Sequence, residues 1–265
     1  MRYRFARERR DYSDYASGRV FYSSPGQPAF PVRLASEIFQ RCLAVRETSG
    51  AAGPCLLYDP CCGGAYHLST LAFRHWQAID EIVGSDVDEQ ALSLAQRNLA
   101  LLTVGGLDKR MAEIAAMLAS YGKASHAAAL ESARTLRRRL VGLVEGHQVA
   151  TRLFRADATD GGALSRHLGD RRVDVVLTDV PYGWHSTWRV VDVGQVSASP
   201  MWQMLEALRR VVSPGAVLAV AADKRQRTSH PAYQRIERFR AGKRQVAILK
   251  LAGPGSGSEV GDMIE

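Results

Sequence analysis

The chain of 265 residues is poor in cysteine, has no long apolar run and lacks the GxGxxG phosphate loop of dinucleotide-binding folds. Its four cysteines form no CxxC pair, which argues against a zinc site or a disulfide framework and favours a reducing compartment. Residues 1–10 are charged and lack the apolar core of a secretion signal, and no apolar run approaches the roughly 18 residues of a membrane helix. We therefore expect a cytoplasmic protein with no bound metal and no membrane segment.

Composition and charge narrow the class of protein further. A hydrophobic share of 46% and a charged share of 23% exclude a disordered or collagen-like chain. The net charge of +8 is uneven: residues 1–10, 107–140 and 224–250 carry +4, +4 and +8, so the remaining residues are acidic in sum. A basic periphery around an acidic middle fits a polyanion held at the rim of a site with different chemistry. An ordinary solvated surface is the alternative.

Strand and helix patterns alternate along most of the chain. Apolar runs predict strands at 55–58, 81–85, 148–154, 173–178 and 215–222, and a closing hairpin at 235–240 and 244–251. Helical spacing predicts helices at 31–43, 66–76, 88–102, 163–168 and 201–212, with Asp88 as an N-cap. This order predicts an α/β fold, with a mostly parallel twisted sheet and helices on both faces.

The alternation stops at Gly105 and Gly106, where two further helical segments, 107–119 and 125–144, predict a helical insertion over about 105–147. Residues 1–30 have no clear period and are predicted to form a basic N-terminal arm. The main domain would then span 31–252, and residues 253–265 would form a mobile tail.

Acidic residues follow four of the predicted strands. Because ligands of such sheets bind beyond the carboxyl ends of the strands, these acids should gather at one edge. After the first strand, Asp59 precedes Gly63 and Gly64, which let a ligand approach the backbone. An acid here would repel a pyrophosphate but suits a cationic amino-acid end. The alternative is that Asp59 caps the next helix and the glycines only turn the chain.

The other three strand ends are compatible with a nucleoside ligand and a base. Asp86 is placed to bind ribose hydroxyls, and Asp157 to accept an adenine amine hydrogen. Helix capping and a solvated loop acid are their alternatives. In Asp179-Val-Pro-Tyr182, a carboxylate and an aromatic face could grip a planar base, and stacking contributes about 1–3 kcal/mol. Such a base must first leave its own stack. A Pro-Tyr turn packed on the domain is the alternative.

In this order the motifs resemble those of class I methyltransferases that use S-adenosylmethionine. Asp59-Pro-Cys-Cys-Gly63, Ser85-Asp-Val-Asp88 and Val175-Val-Leu-Thr-Asp179 with Pro181-Tyr-Gly183 resemble more closely the avilamycin-resistance 23S rRNA (guanine) methyltransferases. The resemblance extends from the N-terminal arm to the last strand and includes the insertion. It implies a Rossmann-like class I methyltransferase fold and S-adenosylmethionine as cofactor. It also implies methylation of a guanine, with N1 favoured, in 23S rRNA or the large ribosomal subunit, no stable protein partner, and resistance to an orthosomycin antibiotic such as avilamycin.

The resemblance also assigns roles residue by residue. The cofactor-binding residues it implies are Asp59, Cys62, Gly63 and Gly64 at the methionine end, Asp86 at the ribose and Asp157 near the adenine. The residues it implies at the target base are Asp179, Pro181 and Tyr182. The basic residues we expect to hold RNA phosphates are Arg134, Arg137, Arg138, Lys224, Arg225 and Arg227.

Four positions depart from the family pattern. Gly64-Ala65 replaces an expected Ser-Gly, where Ala65 would narrow the backbone options and Gly64 would compensate. Val180 replaces an expected leucine. His67 occupies an expected apolar position, and we predict a tolerated surface change rather than a catalytic group.

Alternatives from other classes remain open. Asp-x-Pro-Tyr also fits a methyltransferase acting on DNA adenine or a protein amide. A non-catalytic RNA-binding protein with the same fold is a second alternative. A nicotinamide oxidoreductase is disfavoured because the phosphate-binding glycine pattern is absent.

Overall fold

One mixed sheet organises the molecule. In the computed structural model, which describes residues 1–25, 29–180 and 199–252, seven strands form this sheet. The strands are β1 (Cys55–Asp59), β2 (Ile79–Asp86), β3 (Ala150–Arg155), β4 (Val173–Asp179), β5 (Val212–Asp223), β6 (Tyr233–Ala241) and β7 (Arg244–Leu251). Their spatial order is β3-β2-β1-β4-β5-β7-β6, in which β7 runs antiparallel to β5 and β6 and the other pairs are parallel.

Helices cover both faces of the sheet. Their bounds are α1 (Val32–Thr48), α2 (Tyr66–His75), α3 (Glu89–Ala100), α4 (Val104–Tyr121), α5 (Ala124–Val144), α6 (Gly161–Leu168) and α7 (Pro200–Leu208). Helices α1 to α5 belong to one apolar layer, and α6 and α7 to the other. The predicted α/β fold is confirmed. Among the described residues, no helix has the length and apolar character needed to cross a membrane.

The strand β4 shows why the sheet was predictable from sequence. Val175 and Leu177 face the layer of α1 to α5, whereas Val176 faces that of α6 and α7. A parallel strand buried on both faces needs apolar side chains at consecutive positions, and β4 has them. Asp88 accepts a hydrogen bond from the backbone N–H of Gln90 at 2.8 Å and thus caps α3, as predicted.

Several boundaries of helices and strands differ from the predictions. Helix α4 begins at Val104, so Gly105 and Gly106 lie in its first turn rather than in a break. Thr103 caps the helix by accepting the N–H of Gly106 at 3.0 Å, and a Cβ at Gly106 would lie 1.8 Å from the Ala100 carbonyl oxygen. Glycine is therefore required there by close packing. Helix α7 ends at Leu208 instead of 212, and β5 begins at Val212 instead of 215.

The N-terminal segment packs against the domain despite its lack of a period. Tyr15, Val20 and Phe21 are buried in the same layer as α1. The carboxylate of Glu37 in α1 accepts the backbone N–H groups of residues 4, 5 and 6 at 2.6, 2.9 and 2.7 Å. The division into arm, domain and tail stays a prediction, and residues 253–265 lie outside the described residues.

Candidate functional site

Four acids lie at one edge of the sheet. The register pairs Asp59 with Gly84, Asp86 with Arg155, and Asp179 with Ala221, so the carboxyl ends of these strands are side by side. Asp157 follows β3 directly, where the N–H of Ala156 donates to the Asp86 carbonyl at 3.2 Å. The topology therefore brings the acids after β1, β2, β3 and β4 together.

The turn after β1 is fastened to β2 by its backbone. The N–H of Gly63, which has a left-handed φ of 51°, donates to Asp86 Oδ2 at 2.9 Å, and the N–H of Cys62 donates to the Ser85 carbonyl at 2.9 Å. Asp86 Oδ1 accepts the N–H of Asp88 at 3.0 Å. Burial raises the pKa of Asp86 above its ordinary value, and these N–H groups oppose that shift.

Close packing explains the glycine at position 64, whereas Ala65 has the strained backbone conformation. A Cβ at Gly64 would lie 2.7 Å from Leu94 Cδ2, and the Gly64 carbonyl accepts a hydrogen bond from Asn98 Nδ2 at 2.8 Å. Ala65 has φ 52° and ψ 27°, a left-handed conformation that favours glycine. Because Gly64 does not adopt a left-handed φ, it does not compensate for Ala65 in the way predicted.

Cys62 and Asp157 have defined neighbours. The Cys62 side chain is buried against β2, where a Cβ at Gly84 would lie 3.0 Å from its Sγ. Burial raises the pKa of this thiol well above its ordinary value, so it stays neutral at physiological pH. Asp157 Oδ1 accepts both the N–H and the hydroxyl of Thr159, at 2.8 and 2.7 Å. This fixes the carboxylate of Asp157 beside the end of β2.

Asp179 is paired with an arginine that the sequence did not single out. Arg244 Nε lies 3.1 Å from Asp179 Oδ1, and Arg244 Nη2 lies 3.1 Å from Oδ2. The same guanidinium stands 5.1 Å from the centre of the Phe30 ring. Burial raises the pKa of Asp179 above its ordinary value, although Arg244 and His67 act to lower it. Pro181 and Tyr182 lie outside the described residues.

His67 is part of this site, and the prediction of a surface change is wrong. It lies in the first turn of α2 with its side chain towards the sheet, and only 6% of it is exposed. His67 Nε2 is 3.1 Å from Asp59 Oδ2 and 3.3 Å from the Leu177 carbonyl oxygen. The one signal in the sequence was its departure from an expected apolar residue.

The two groups of predicted phosphate-binding residues differ in their surroundings. Lys224, Arg225 and Arg227 are exposed and directly follow β5 at the edge that carries Asp179. Buried Gln245 fastens this loop to β6, since its Nε2 donates to the carbonyls of Asp223 and Gln226 and its Oε1 accepts from Arg238. The loop therefore has a fixed place beside Asp179.

The arginines of α5 are already paired with acids. Arg134 and Arg138 lie 3.4 and 3.7 Å from carboxylate oxygens of Glu131, and Arg137 forms an ion pair with Asp108. Lys224 and Arg227, in contrast, make no ion pair with another described residue. These differences leave more uncompensated positive charge beside the acidic edge than on α5.

Asp59 fits a ligand with a cationic end. Its side chain is fully buried; Oδ1 accepts the N–H of Cys61 at 3.0 Å, whereas Oδ2 has no hydrogen-bond partner among the described residues. The His67 contact has ion-pair distance but not hydrogen-bond geometry. A buried carboxylate oxygen without a partner is unfavourable, and an ammonium group would satisfy it. The residues thus fit a methyl donor with an amino-acid end, and they do not fit a pyrophosphate.

A parallel sheet closed by an antiparallel strand, with a glycine-rich turn after β1 and an acid at the end of β2, defines a class I methyltransferase. Within this class, the chain belongs to the family described as rRNA methyltransferase AviRa, whose model matches residues 1–244. Membership confirms the predicted fold class and the predicted enzyme class, an rRNA methyltransferase.

Known proteins support the assignment along nearly the whole chain. The chain is 41% identical over 250 residues to the 23S rRNA (guanine(2535)-N(1))-methyltransferase of Streptomyces viridochromogenes, with 94% of this chain and 96% of that protein covered. Two solved structures of rRNA methyltransferase AviRa from the same organism match with TM-scores of 0.82 and 0.83, at 41% and 40% identity. Each match covers 94% of this chain and 96% of the other.

Proposed function

We propose that this protein transfers a methyl group from S-adenosylmethionine to N1 of a guanine in 23S rRNA, free or in the large ribosomal subunit. By the same proposal it acts in the cytoplasm and confers resistance to an orthosomycin antibiotic such as avilamycin. One observation carries the proposal: the buried carboxylate of Asp59 and the partly exposed carboxylate of Asp179 stand at the ends of adjacent strands β1 and β4, and one oxygen of Asp59 has no hydrogen-bond partner among the described residues. The first suits a cationic donor and the second an N–H-bearing base.

The donor would be held by side chains and backbone of the acidic edge. Asp59 Oδ2 would accept the ammonium group, and the turn at Gly63 and Gly64 would line the methionine end with backbone. Asp86 would hold the ribose hydroxyls, because each of its oxygens keeps a second lone pair beyond the N–H it already accepts. Asp157 would lie near the adenine, and Cys62 would contribute its backbone, since its side chain is buried. When bound, the donor supplies an already activated methyl group on sulfur.

Asp179 would act on the acceptor base. Arg244 opposes the effect of burial on the pKa of Asp179, which favours the ionised carboxylate that can accept a proton or a hydrogen bond, and the ion pair fixes the orientation of this carboxylate. Asp179 would accept the guanine N1 hydrogen and so leave electron density on the attacking nitrogen. Pro181 and Tyr182 remain predicted partners of the base, with Tyr182 as a stacking surface. The protein's main contribution would be alignment of nitrogen, methyl carbon and sulfur.

Phosphates of the RNA would be held beside this edge. The loop after β5 is suited to this role, because Gln245 fixes it next to β4, the strand that ends at Asp179. The basic residues of this loop are Lys224, Arg225 and Arg227. The arginines of α5 stay predicted phosphate ligands, namely Arg134, Arg137 and Arg138. Each already forms an ion pair with an acid of the helical insertion, and a phosphate would have to compete with that acid. Such contacts set the register of the RNA rather than its identity.

The test is methyl incorporation from labelled S-adenosylmethionine into 23S rRNA and large subunits, with DNA and total protein as parallel acceptors, followed by nucleoside analysis. We expect one 1-methylguanosine in rRNA. Asp179→Ala should abolish turnover and leave RNA affinity nearly unchanged, whereas Asp170→Ala, which removes an exposed acid before β4, should retain activity. Full activity of Asp179→Ala would remove this residue from the mechanism, and label in DNA or protein alone would overturn the substrate.

A further inference from the structure

His67 is a buried histidine beside the carboxylate of Asp59. Its Nε2 faces Asp59 Oδ2 at 3.1 Å and the Leu177 carbonyl oxygen at 3.3 Å. Both neighbours are acceptors, so Nε2 carries a hydrogen in either protonation state of the ring. Phe30 packs against the imidazole with a ring separation of 5.7 Å, and both side chains are buried.

The charged groups of this site come from four elements. Asp59 ends β1 and Asp179 ends β4, while Arg244 begins β7 and His67 belongs to α2. Arg244 neutralises Asp179 through three hydrogen-bond contacts. Among the described residues Asp59 has no such arginine, and His67 is the cation beside it. The neighbouring thiol of Cys61 is neutral, because burial raises its pKa well above the ordinary value.

Two effects oppose a proton on His67 and two favour it. Burial lowers its pKa, and a position in the first turn of a helix also disfavours a cation. The contact with Asp59, and the charges of Asp59 and Asp179, act in the other direction and leave the pKa of His67 above its ordinary value. The ligand-free site with a protonated His67 therefore has two negative and two positive charges.

We propose that His67 is a positioning residue that stays protonated beside Asp59 in the ligand-free protein and loses its Nδ1 proton to solvent when the ammonium end of the methyl donor arrives, while Nε2 keeps its hydrogen. The proposal rests on the donor site proposed above. The ammonium group and the imidazolium both compete for Asp59 Oδ2, whose only close cation is His67 among the described residues. The Nε2–H of the neutral ring would then remain beside the carboxylate.

This competition links donor affinity to pH. If binding lowers the pKa of His67, the complex holds fewer protons than the free protein, and affinity increases with pH until His67 of the free protein has lost its proton. For one released proton, the Kd falls by up to about tenfold per pH unit. A residue with a merely structural role would change affinity equally at all pH values.

Titration calorimetry with S-adenosylhomocysteine, which carries the same ammonium group and does not react, measures the released proton. At pH 7, binding enthalpies in phosphate and in Tris should differ for the wild type by the heat of up to one buffered proton. They should coincide for His67→Gln. His75→Gln is the matched control, because His75 lies in the same helix and burial lowers its pKa to about 4, so it is already neutral. If His67→Gln does not fold, His67→Leu replaces it.

NMR titration of the imidazole in the ligand-free protein gives an independent answer. We expect a pKa of His67 above 6.5 that falls in Asp59→Asn. A value below 6.5, or one that Asp59→Asn leaves unchanged, would overturn the inference. So would equal proton release by wild type and His67→Gln. If S-adenosylhomocysteine does not bind the wild type at all, the proposed donor site fails, and the NMR titration still decides whether His67 holds its proton against Asp59.

Discussion

The strongest test of the structure outside the site is removal of the Glu37 carboxylate. This side chain is fully buried in α1 and accepts three backbone N–H groups of the N-terminal segment. It also accepts Arg41 at 2.9 and 2.7 Å, and Arg41 pairs in turn with Glu237 of β6. One carboxylate thus connects the N-terminus, α1 and the edge strand.

The loss in the free energy of unfolding for Glu37→Ala depends on the groups that this substitution leaves without their partner. Breaking a buried ion pair by removing one partner costs about 3–5 kcal/mol, because the other charge stays buried. Arg41 keeps Glu237, and the three N–H groups can rehydrate if residues 1–10 detach, so we expect a loss near 3 kcal/mol rather than 5. Glu37→Gln keeps the shape and one acceptor, and should lose about 2 kcal/mol.

Urea unfolding followed by circular dichroism measures this loss, and trypsin cleavage at the arginines of residues 1–10 reports detachment. For Glu37→Ala, the free energy of unfolding should fall and trypsin cleavage should become faster. Neither quantity should change for Glu47→Ala, which removes an exposed acid at the end of the same helix. Burial opposes ionisation of Glu37, but the N–H groups and Arg41 lower its pKa below 4.5. The stability it contributes is therefore present above pH 4.5 and lost as the pH falls through the lower native value. Unchanged stability and unchanged cleavage in Glu37→Ala would refute the anchoring role.

Two further predictions concern RNA and the turn. Replacing Lys224 and Arg227 by alanine should weaken rRNA binding and reduce the slope of log K against log salt by about 1 for each lost contact. Replacing Arg134 and Arg138 should do less, because both are already paired with an acid; equal effects in filter binding would reject this order. Ala65→Gly relieves a left-handed alanine, worth about 1 kcal/mol, and loses a buried methyl worth about 0.8 kcal/mol. The stability measured by thermal unfolding should therefore change little in Ala65→Gly. A loss of more than about 2 kcal/mol in the free energy of unfolding would contradict the presence of strain at Ala65.

The parts of the fold that depend on local pattern were predictable. Continuous apolar residues identified β4, helical spacing identified α1 to α3, and an N-cap position identified Asp88. Because the carboxyl ends of parallel strands meet at one edge, the strand assignments were sufficient to bring the acids of the site together.

Contacts between distant segments were not predictable, since they depend on register. Arg244 lies 65 positions after Asp179, and only the antiparallel pairing of β7 with β5, which sets Asp223 opposite Arg244, brings it to the edge. In the sequence it is one of nine basic residues in 224–250. The packing of the N-terminal segment was not predictable for another reason. Its backbone N–H groups donate to Glu37, and backbone hydrogen bonds of this kind leave no pattern in the sequence of side chains.

The number of charged residues in a segment therefore indicates the charge of the surface, but it does not show which of these residues belong to the site. Many of the basic residues are paired with acids, as Arg137 is with Asp108, and one of them, Arg244, forms an ion pair with Asp179 inside the site. Among the described residues Asp59 has no arginine partner, and a histidine stands beside it at a position where we expected an apolar residue. A histidine differs from an arginine in one respect that matters here, because it can lose its charge near neutral pH. If His67 loses its proton when the donor binds, donor affinity would therefore depend on pH in the neutral range, which a permanently charged arginine at this place would not cause.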